Sequence, residues 1–235
     1  MKTLLVIASK IELNKLQPLF EKGGYQLEQQ SDQQYLLKKA GKEMQLLITG
    51  MGIANTIFSL TKYLTENKVK NIVNIGIGGA YPSSKLAIGE VAIISDDNYS
   101  DFGLTMEKSF NKLNEIHLNL NDYQKEITEN KVEIKHKIEL KMPDQKKYTA
   151  ASGNTVSAIS GDNFWAFRQE MIWKRQVESM EGAAVIDVAN RFGLNCVQLR
   201  AISNIVGIQN KKLWDFENTF VNLYNVIDLN YDDFC

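Results

Sequence analysis

Three short apolar runs most constrain the architecture: Thr3-Leu4-Leu5-Val6-Ile7-Ala8, Asn71-Ile72-Val73-Asn74-Ile75-Gly76 and the stretch from Asn195 to Ser203. The first has no polar alternation, which is the pattern of a strand buried on both faces. Such strands need cover above and below, and segments of helical spacing lie between them. One opens at Ile11-Glu12-Leu13, carries Leu13, Leu16, Leu19 and Phe20 on one face and stops at Gly23-Gly24. Others are expected from about Ala54 to Leu64, Asn163 to Trp173, Glu181 to Phe192 and Trp214 to Leu229. Tyr35-Leu36-Leu37 and Met44 to Ile48 read as a hairpin around Gly41, and Gly89 to Ser95 as one more strand. Strands alternating with helices specify an α/β fold: one three-layer domain over residues 1–235, with a central mixed, largely parallel twisted sheet flanked by helices.

A chain of 235 residues can bury a large core without splitting. Its formal net charge of −1 gives no broad basic face for nucleic acid. Cys196 lies in an apolar strand and Cys235 is the last residue, so no disulfide framework is expected and a reduced, cytoplasmic protein is. The N-terminus lacks the long apolar segment and cleavage site of a signal peptide, and no run is long enough to span a bilayer. His117 and His136 stand apart in a charged region without ligand spacing, so no metal or cofactor is expected. Residues 107–147, rich in Lys, Glu and Asn, read as an exposed excursion with a short helix.

Two glycine clusters follow strands: Gly50-Met51-Gly52 and Gly76-Ile77-Gly78-Gly79. In open α/β sheets ligands sit outside the carboxyl ends of strands, where glycine lets backbone amides come close. Neither cluster is a Walker A loop, since no Gly-Lys-Ser/Thr follows, and the second leads into Ala80-Tyr81-Pro82 rather than into a helix. Either a tight turn or a ligand cradle satisfies such glycines; two at neighbouring strand tips favour a pocket.

Gly50-Met51-Gly52-Ile53-Ala54-Asn55-Thr56, Asn74-Ile75-Gly76-Ile77-Gly78-Gly79, Met180-Glu181-Gly182-Ala183-Ala184 and Arg200-Ala201-Ile202-Ser203-Asn204 together resemble the nucleoside phosphorylase superfamily, in family order over nearly the whole chain. The likeness is closer to its hydrolytic branch, which includes methylthioadenosine/S-adenosylhomocysteine nucleosidases and futalosine hydrolases. Gly153-Asn154-Thr155-Val156, Tyr99-Ser100-Asp101-Phe102-Gly103 and Asn204-Ile205-Val206-Gly207 with Trp214 look most like the futalosine hydrolases, which split hypoxanthine from futalosine in a menaquinone pathway. The resemblance implies a cytoplasmic homodimer acting on a small nucleoside and water.

N-glycoside hydrolysis needs a base to activate water, tolerance of an oxocarbenium-like sugar, and stabilisation of the leaving purine. Glu12 matches the family's water-activating glutamate; without the resemblance it also suits a first helical turn, where the helix dipole favours acids. Glu181 matches the glutamate that holds the ribose 2′ and 3′ hydroxyls, with Met180 packing on the sugar. The plain alternative is a charge at a helix N-terminus. Glu178 is a supporting candidate. Arg200 is expected to pair with a buried acid, because an unpaired guanidinium in an apolar strand is expensive, and the resemblance sets it by the water network. Gly78, Gly79, Phe164, Trp165 and Ser203 are candidates for the base, with Trp214 near the pocket lid; aromatic residues at such places also serve as core.

Asn204 narrows the substrate. Nucleosidases of 6-aminopurines have an aspartic acid there, which protonates N7 and accepts from the 6-amino group. The amide of Asn204 has no proton to give up at neutral pH, but its NH2 can donate to N7 and O6 of a 6-oxopurine. The wrong base would leave polar groups unpaired, a discrimination on the order of ~10²-fold. Three alternatives stand beside the 6-oxopurine hydrolase: a methylthioadenosine/S-adenosylhomocysteine nucleosidase, a purine nucleoside phosphorylase, and a nucleoside-binding protein without turnover. Phosphorolysis requires an anion clamp, and the segments of chain before Gly78 and around Gly50-Met51-Gly52 contain no arginine. Binding alone requires no base such as Glu12.

Overall fold

A computed structural model describes residues 3–105, 110–112, 130–141, 148–208, 210 and 214–235. In chain order the elements are β1 (Thr3–Ile7), α1 (Lys10–Lys22), β2 (Gln26–Gln29), β3 (Gln34–Lys39), β4 (Lys42–Ile48), α2 (Ile53–Glu66), β5 (Asn71–Ala80) and β6 (Val91–Asn98). There follow β7 (Gly103–Thr105), β8 (Phe110–Lys112), β9 (Lys131–Glu133), β10 (Tyr148–Thr155), α3 (Asn163–Trp173), β11 (Val177–Ser179), α4 (Gly182–Arg191), β12 (Asn195–Ile205) and α5 (Phe216–Phe234).

The α/β class holds, with helices on both faces of the first strands. On one side Leu13, Leu16 and Phe20 of α1 and Leu223, Val226 and Ile227 of α5 cover Leu5, Ile7, Val73, Ile75, Val197 and Leu199. On the other, Leu60 and Leu64 of α2 and Val185, Ile186 and Ala189 of α4 cover Leu4, Val6, Ile72 and Cys196. Consecutive residues of β1 thus face opposite helical layers, which is why that strand is apolar throughout. Each such Leu, Ile, Val or Phe side chain contributes about 1.5–3 kcal/mol on burial.

The sheet departs from the expected open form. Its order is β11-β10-β6-β12-β5-β1-β4-β3-β2, with β9 on β6, and β11 pairs with β5 as well as with β10. Strands β5, β12, β6, β10 and β11 therefore close into a ring, from which β1, β4, β3 and β2 extend as an open wing. Pairing is mixed rather than largely parallel: β1–β4, β1–β5, β5–β12, β6–β10 and β10–β11 are parallel, whereas β5–β11, β6–β12, β2–β3, β3–β4 and β6–β9 are antiparallel. The closing strand spans three residues, too few for any periodicity to announce it. A small closed ring must fill its interior with side chains. Ala80, Ala92, Ile94, Ala151, Val177 and Ile202, from all five strands, do so at one end.

Most of the charged excursion, His117 included, lies outside the described residues. Its described end is exposed at most positions, as expected, His136 included, but it is anchored: Lys131–Glu133 pairs with β6, and Ile134 is buried beside Val185 and Ile186. Among the described residues, no helix is long and apolar enough to cross a membrane.

Candidate active site

Glu12 sits where β1 turns into α1. Ser9 is the N-cap of that helix and Glu12 its third residue, and the two close a capping box: Glu12 N–H donates to Ser9 Oγ at 3.3 Å while Ser9 N–H donates to Glu12 Oε2 at 2.9 Å. Ala8 N–H adds a bond to the same oxygen at 3.1 Å. The other oxygen, Oε1, accepts from Ile77 N–H on β5 at 3.3 Å. The first-turn position does not use up the carboxylate: one oxygen is fixed by the helix cap and the other turns to Ile77 of β5. Glu12 is buried, and burial pushes its pKa above the usual carboxylate value; the charge of Glu181 raises it further, against smaller lowering by Arg200, Ile77 N–H and Ser9.

Glu181 acts on Glu12 through its charge from a distant part of the sequence. It is the N-cap of α4, yet its side chain makes no capping bond to its own helix. Instead Oε1 accepts from Gly52 N–H at 2.9 Å, at the N-terminus of α2. Gly52 has φ 85° and ψ 165°, a backbone region essentially reserved for glycine. That conformation aims its amide at Glu181, whose negative charge is then favoured at the positive ends of both α2 and α4. Met180, beside it, is half-buried.

The second glycine cluster is not a loop. Gly76, Gly78 and Gly79 lie within β5, which runs on to Ala80, and none has a positive φ. Their requirement is close approach. A Cβ on Gly76 would collide with Arg200 Nη1 and stand 2.9 Å from Glu12 Oε1; one on Gly78 would stand 2.8 Å from Val177 Cγ1. One on Gly79 would meet Val206 at 2.7 Å and Asn204 Nδ2 at 3.3 Å.

Arg200 does not end its strand, as β12 continues to Ile205, and it does not pair with a buried acid as expected. Its side chain fills the ring interior at 1 % exposure, and among the described residues it forms no ion pair. Nε and Nη2 find no hydrogen-bond partner there. It acts on Glu12 and on the buried Asp97 through its charge, lowering the pKa of each. The space it needs is vacated by Gly76.

Asn204 follows an irregularity in the β12–β5 register between Ile202 and Asn204, which sets it opposite Gly79. Ser203 Oγ, buried, donates to Asn204 Oδ1 at 2.9 Å and lies 3.3 Å from Gly78 O. Asn204 Nδ2 donates to Ile205 O at 3.2 Å. Glu178 accepts from Tyr81 Oη at 2.7 Å and from Ser160 N and Oγ at 2.9 and 2.7 Å, tying down the loop between β10 and α3. Phe164 and Trp165 stand on the exposed first turn of α3, 68 % and 45 % accessible, edge to face with each other and with Arg168 over the indole. That helix packs through Ala166 on Tyr81 and Val206, close behind Asn204 in the chain. Trp214 donates from Nε1 to Ile208 O at 3.4 Å and packs edge to face with Phe216.

Sequence reasoning passed over several polar residues in the ring. Asp97, wholly buried, accepts from Gln198 Nε2 at 2.9 Å, Thr155 Oγ1 at 3.0 Å and Asn98 N–H at 2.8 Å, and burial raises its pKa to about 6. Gln198 in turn accepts from Asn74 at 3.3 Å. No pattern marks Asp97, because Ser95-Asp96-Asp97-Asn98 reads as the polar end of a strand. Ser9 was passed over as well, although Ser9-x-x-Glu12 is a capping signature.

The profile of the Phosphorylase superfamily matches residues 2–224. The chain belongs to that superfamily. Among its relatives, futalosine hydrolase of Thermus thermophilus is 26 % identical over 168 residues, 72 % of each chain. A 5′-methylthioadenosine/S-adenosylhomocysteine nucleosidase of Halalkalibacterium halodurans is 27 % identical over 196 residues, 80 % of this chain and 79 % of the other. Solved structures share the fold: futalosine hydrolase of Helicobacter pylori superposes with a TM-score of 0.72 at 14 % identity, covering 99 % of this chain and 98 % of that one. The corresponding nucleosidase of Campylobacter jejuni gives 0.70 at 19 % identity, covering 99 % and 96 %. Both kinds of relative are nucleosidases or hydrolases, and both are represented in sequence and in structure.

Proposed function

We propose that the chain hydrolyses the N-glycosidic bond of a purine nucleoside with a 6-oxo base, futalosine being the favoured substrate and hypoxanthine and dehypoxanthine futalosine the products. The observation that carries this reading is the pair Glu12 and Glu181, two buried carboxylates with different anchors, the charge of the second acting on the first. Glu181, a carboxylate set at two helix N-termini, suits the acceptor role towards two ribose hydroxyls. Glu12, with its pKa raised, suits the base. As water attacks C1′, its proton passes to Glu12, the C1′–N9 bond breaks and its electron pair leaves with the purine. Arg200 supplies the positive charge that keeps two neighbouring acids tolerable in one buried site.

The choice of hydrolysis over phosphorolysis is supported by the Gly52 amide. An open backbone N–H at a helix N-terminus would welcome phosphate, but this one is taken by Glu181. The choice of base rests on Asn204. Ser203 fixes Oδ1 as an acceptor, which turns the NH2 outward; one N–H goes to Ile205 O and the other suits N7 or O6. The relatives support a methylthioadenosine/S-adenosylhomocysteine nucleosidase equally, and Asn204 is what separates the two readings. A crystal soaked with hypoxanthine tests it: Asn204 Nδ2 should face N7 and O6. Adenine bound in that place with hypoxanthine excluded would reverse the choice of base.

A further inference from the structure

The helix that begins after Glu181 is capped by a residue on another strand. Thr155 Oγ1, at the end of β10, accepts from Ala183 N–H at 2.8 Å, in the first turn of α4. The same hydroxyl donates to Asp97 Oδ1 at 3.0 Å, so its proton is committed and its lone pair faces Ala183. Asp97 is held in turn by Gln198 Nε2 and Asn98 N–H. A Cβ on Gly153 or on Gly182 would collide with the Asp97 carboxylate, and one on Gly182 also with Gln198 Nε2. The backbone immediately after Glu181 is therefore pressed onto this buried pair with no room for a side chain.

An N-cap carboxylate ordinarily bonds the free N–H groups of its own helix. Glu181 does not, and Ala183, one of those donors, is already satisfied by Thr155. We infer that Thr155 and Asp97 are positioning residues for Glu181: by capping α4 in its place, they release its carboxylate to cross to Gly52 and face the sugar. This rests on the reading of Glu181 as the ribose clamp.

The test is competition by inosine and by 3′-deoxyinosine against base release from the protein's best substrate. In the wild type, inosine should inhibit far more strongly than 3′-deoxyinosine, because only the former offers Glu181 its 3′ hydroxyl. Thr155→Val keeps the shape and removes the hydroxyl; Ala183 N–H loses its partner and Glu181 is drawn back to its own helix. The constant of 3′-deoxyinosine, which still offers a 2′ hydroxyl, should weaken less than that of inosine, so that their ratio falls at least about tenfold, and Thr155→Ser should restore it. Should Thr155→Val not fold, Thr155→Cys takes its place with the same expected fall. An unchanged ratio in a folded variant would overturn the positioning role. Equal inhibition by the two nucleosides in the wild type would instead overturn the clamp reading itself.

Discussion

The charge of Glu181 lifts the pKa of Glu12, although 168 residues separate them in the chain and neither touches the other's anchors. Glu12 is fixed by the Ser9 cap and Ile77, Glu181 by Gly52. Their proximity is produced by β5, along one edge of which β1 pairs at Asn71–Asn74 and β11 at Gly79–Ala80, so that the helices following those two strands start close together.

The acidic limb of the pH–rate profile should report this. With Glu12 as base, activity falls as pH drops through its raised pKa, so the inflection lies above the ordinary carboxylate range. Glu181→Gln removes one of the two groups of forces raising that pKa, burial being the larger, and should move the limb of kcat/KM to lower pH while lowering its height. A limb that stays in place would show that the two carboxylates titrate independently.

Glu12→Gln should abolish most turnover, on the order of ~10²-fold or more, while equilibrium binding of nucleoside is retained. The amide keeps the size of the side chain but cannot take a proton from water. A near wild-type rate would remove Glu12 from the chemistry.

Asn204→Asp exchanges a donor for an acceptor where O6 is expected. Release of hypoxanthine from its nucleosides should drop about tenfold or more, measured as kcat/KM on the same substrate. An unchanged rate would contradict the donor role.

Asp97 gives a stability prediction of definite sign. Its pKa rises from 3.8 to about 6 on folding, chiefly through burial, so folding favours the protonated form. That contribution is complete below about pH 4 and is lost as pH climbs past about 6, a change of about 3 kcal/mol. Asp97→Asn has no such titration. The stability of the variant relative to wild type, from urea melts, should therefore rise between pH 4 and pH 7.5; a pH-independent difference would mean that Asp97 does not titrate in this range.

Much of the framework was legible because each layer leaves a period. Leu13, Leu16 and Phe20 gave α1, the uninterrupted β1 gave a doubly covered strand, and Asn163–Trp173 fell where expected. What escaped has no local period. Val177–Ser179 is a strand only because Gly79 and Ala80 on one side and Gly153 to Thr155 on the other receive it. Gly76 and Gly78 read as strand-end glycines of a turn or a ligand cradle; here they lie within the strand and make room for Arg200 and Val177 across the ring. Asp97 and Thr155 acquire meaning only once β6, β10 and the start of α4 meet.

The most direct test is release of free base from futalosine, inosine, adenosine and methylthioadenosine, each with and without phosphate. Hydrolysis at a 6-oxopurine predicts hypoxanthine from futalosine, at a rate that phosphate does not alter, in clear preference to adenine from the other two. Preferential release of adenine, or strict dependence on phosphate, would contradict it.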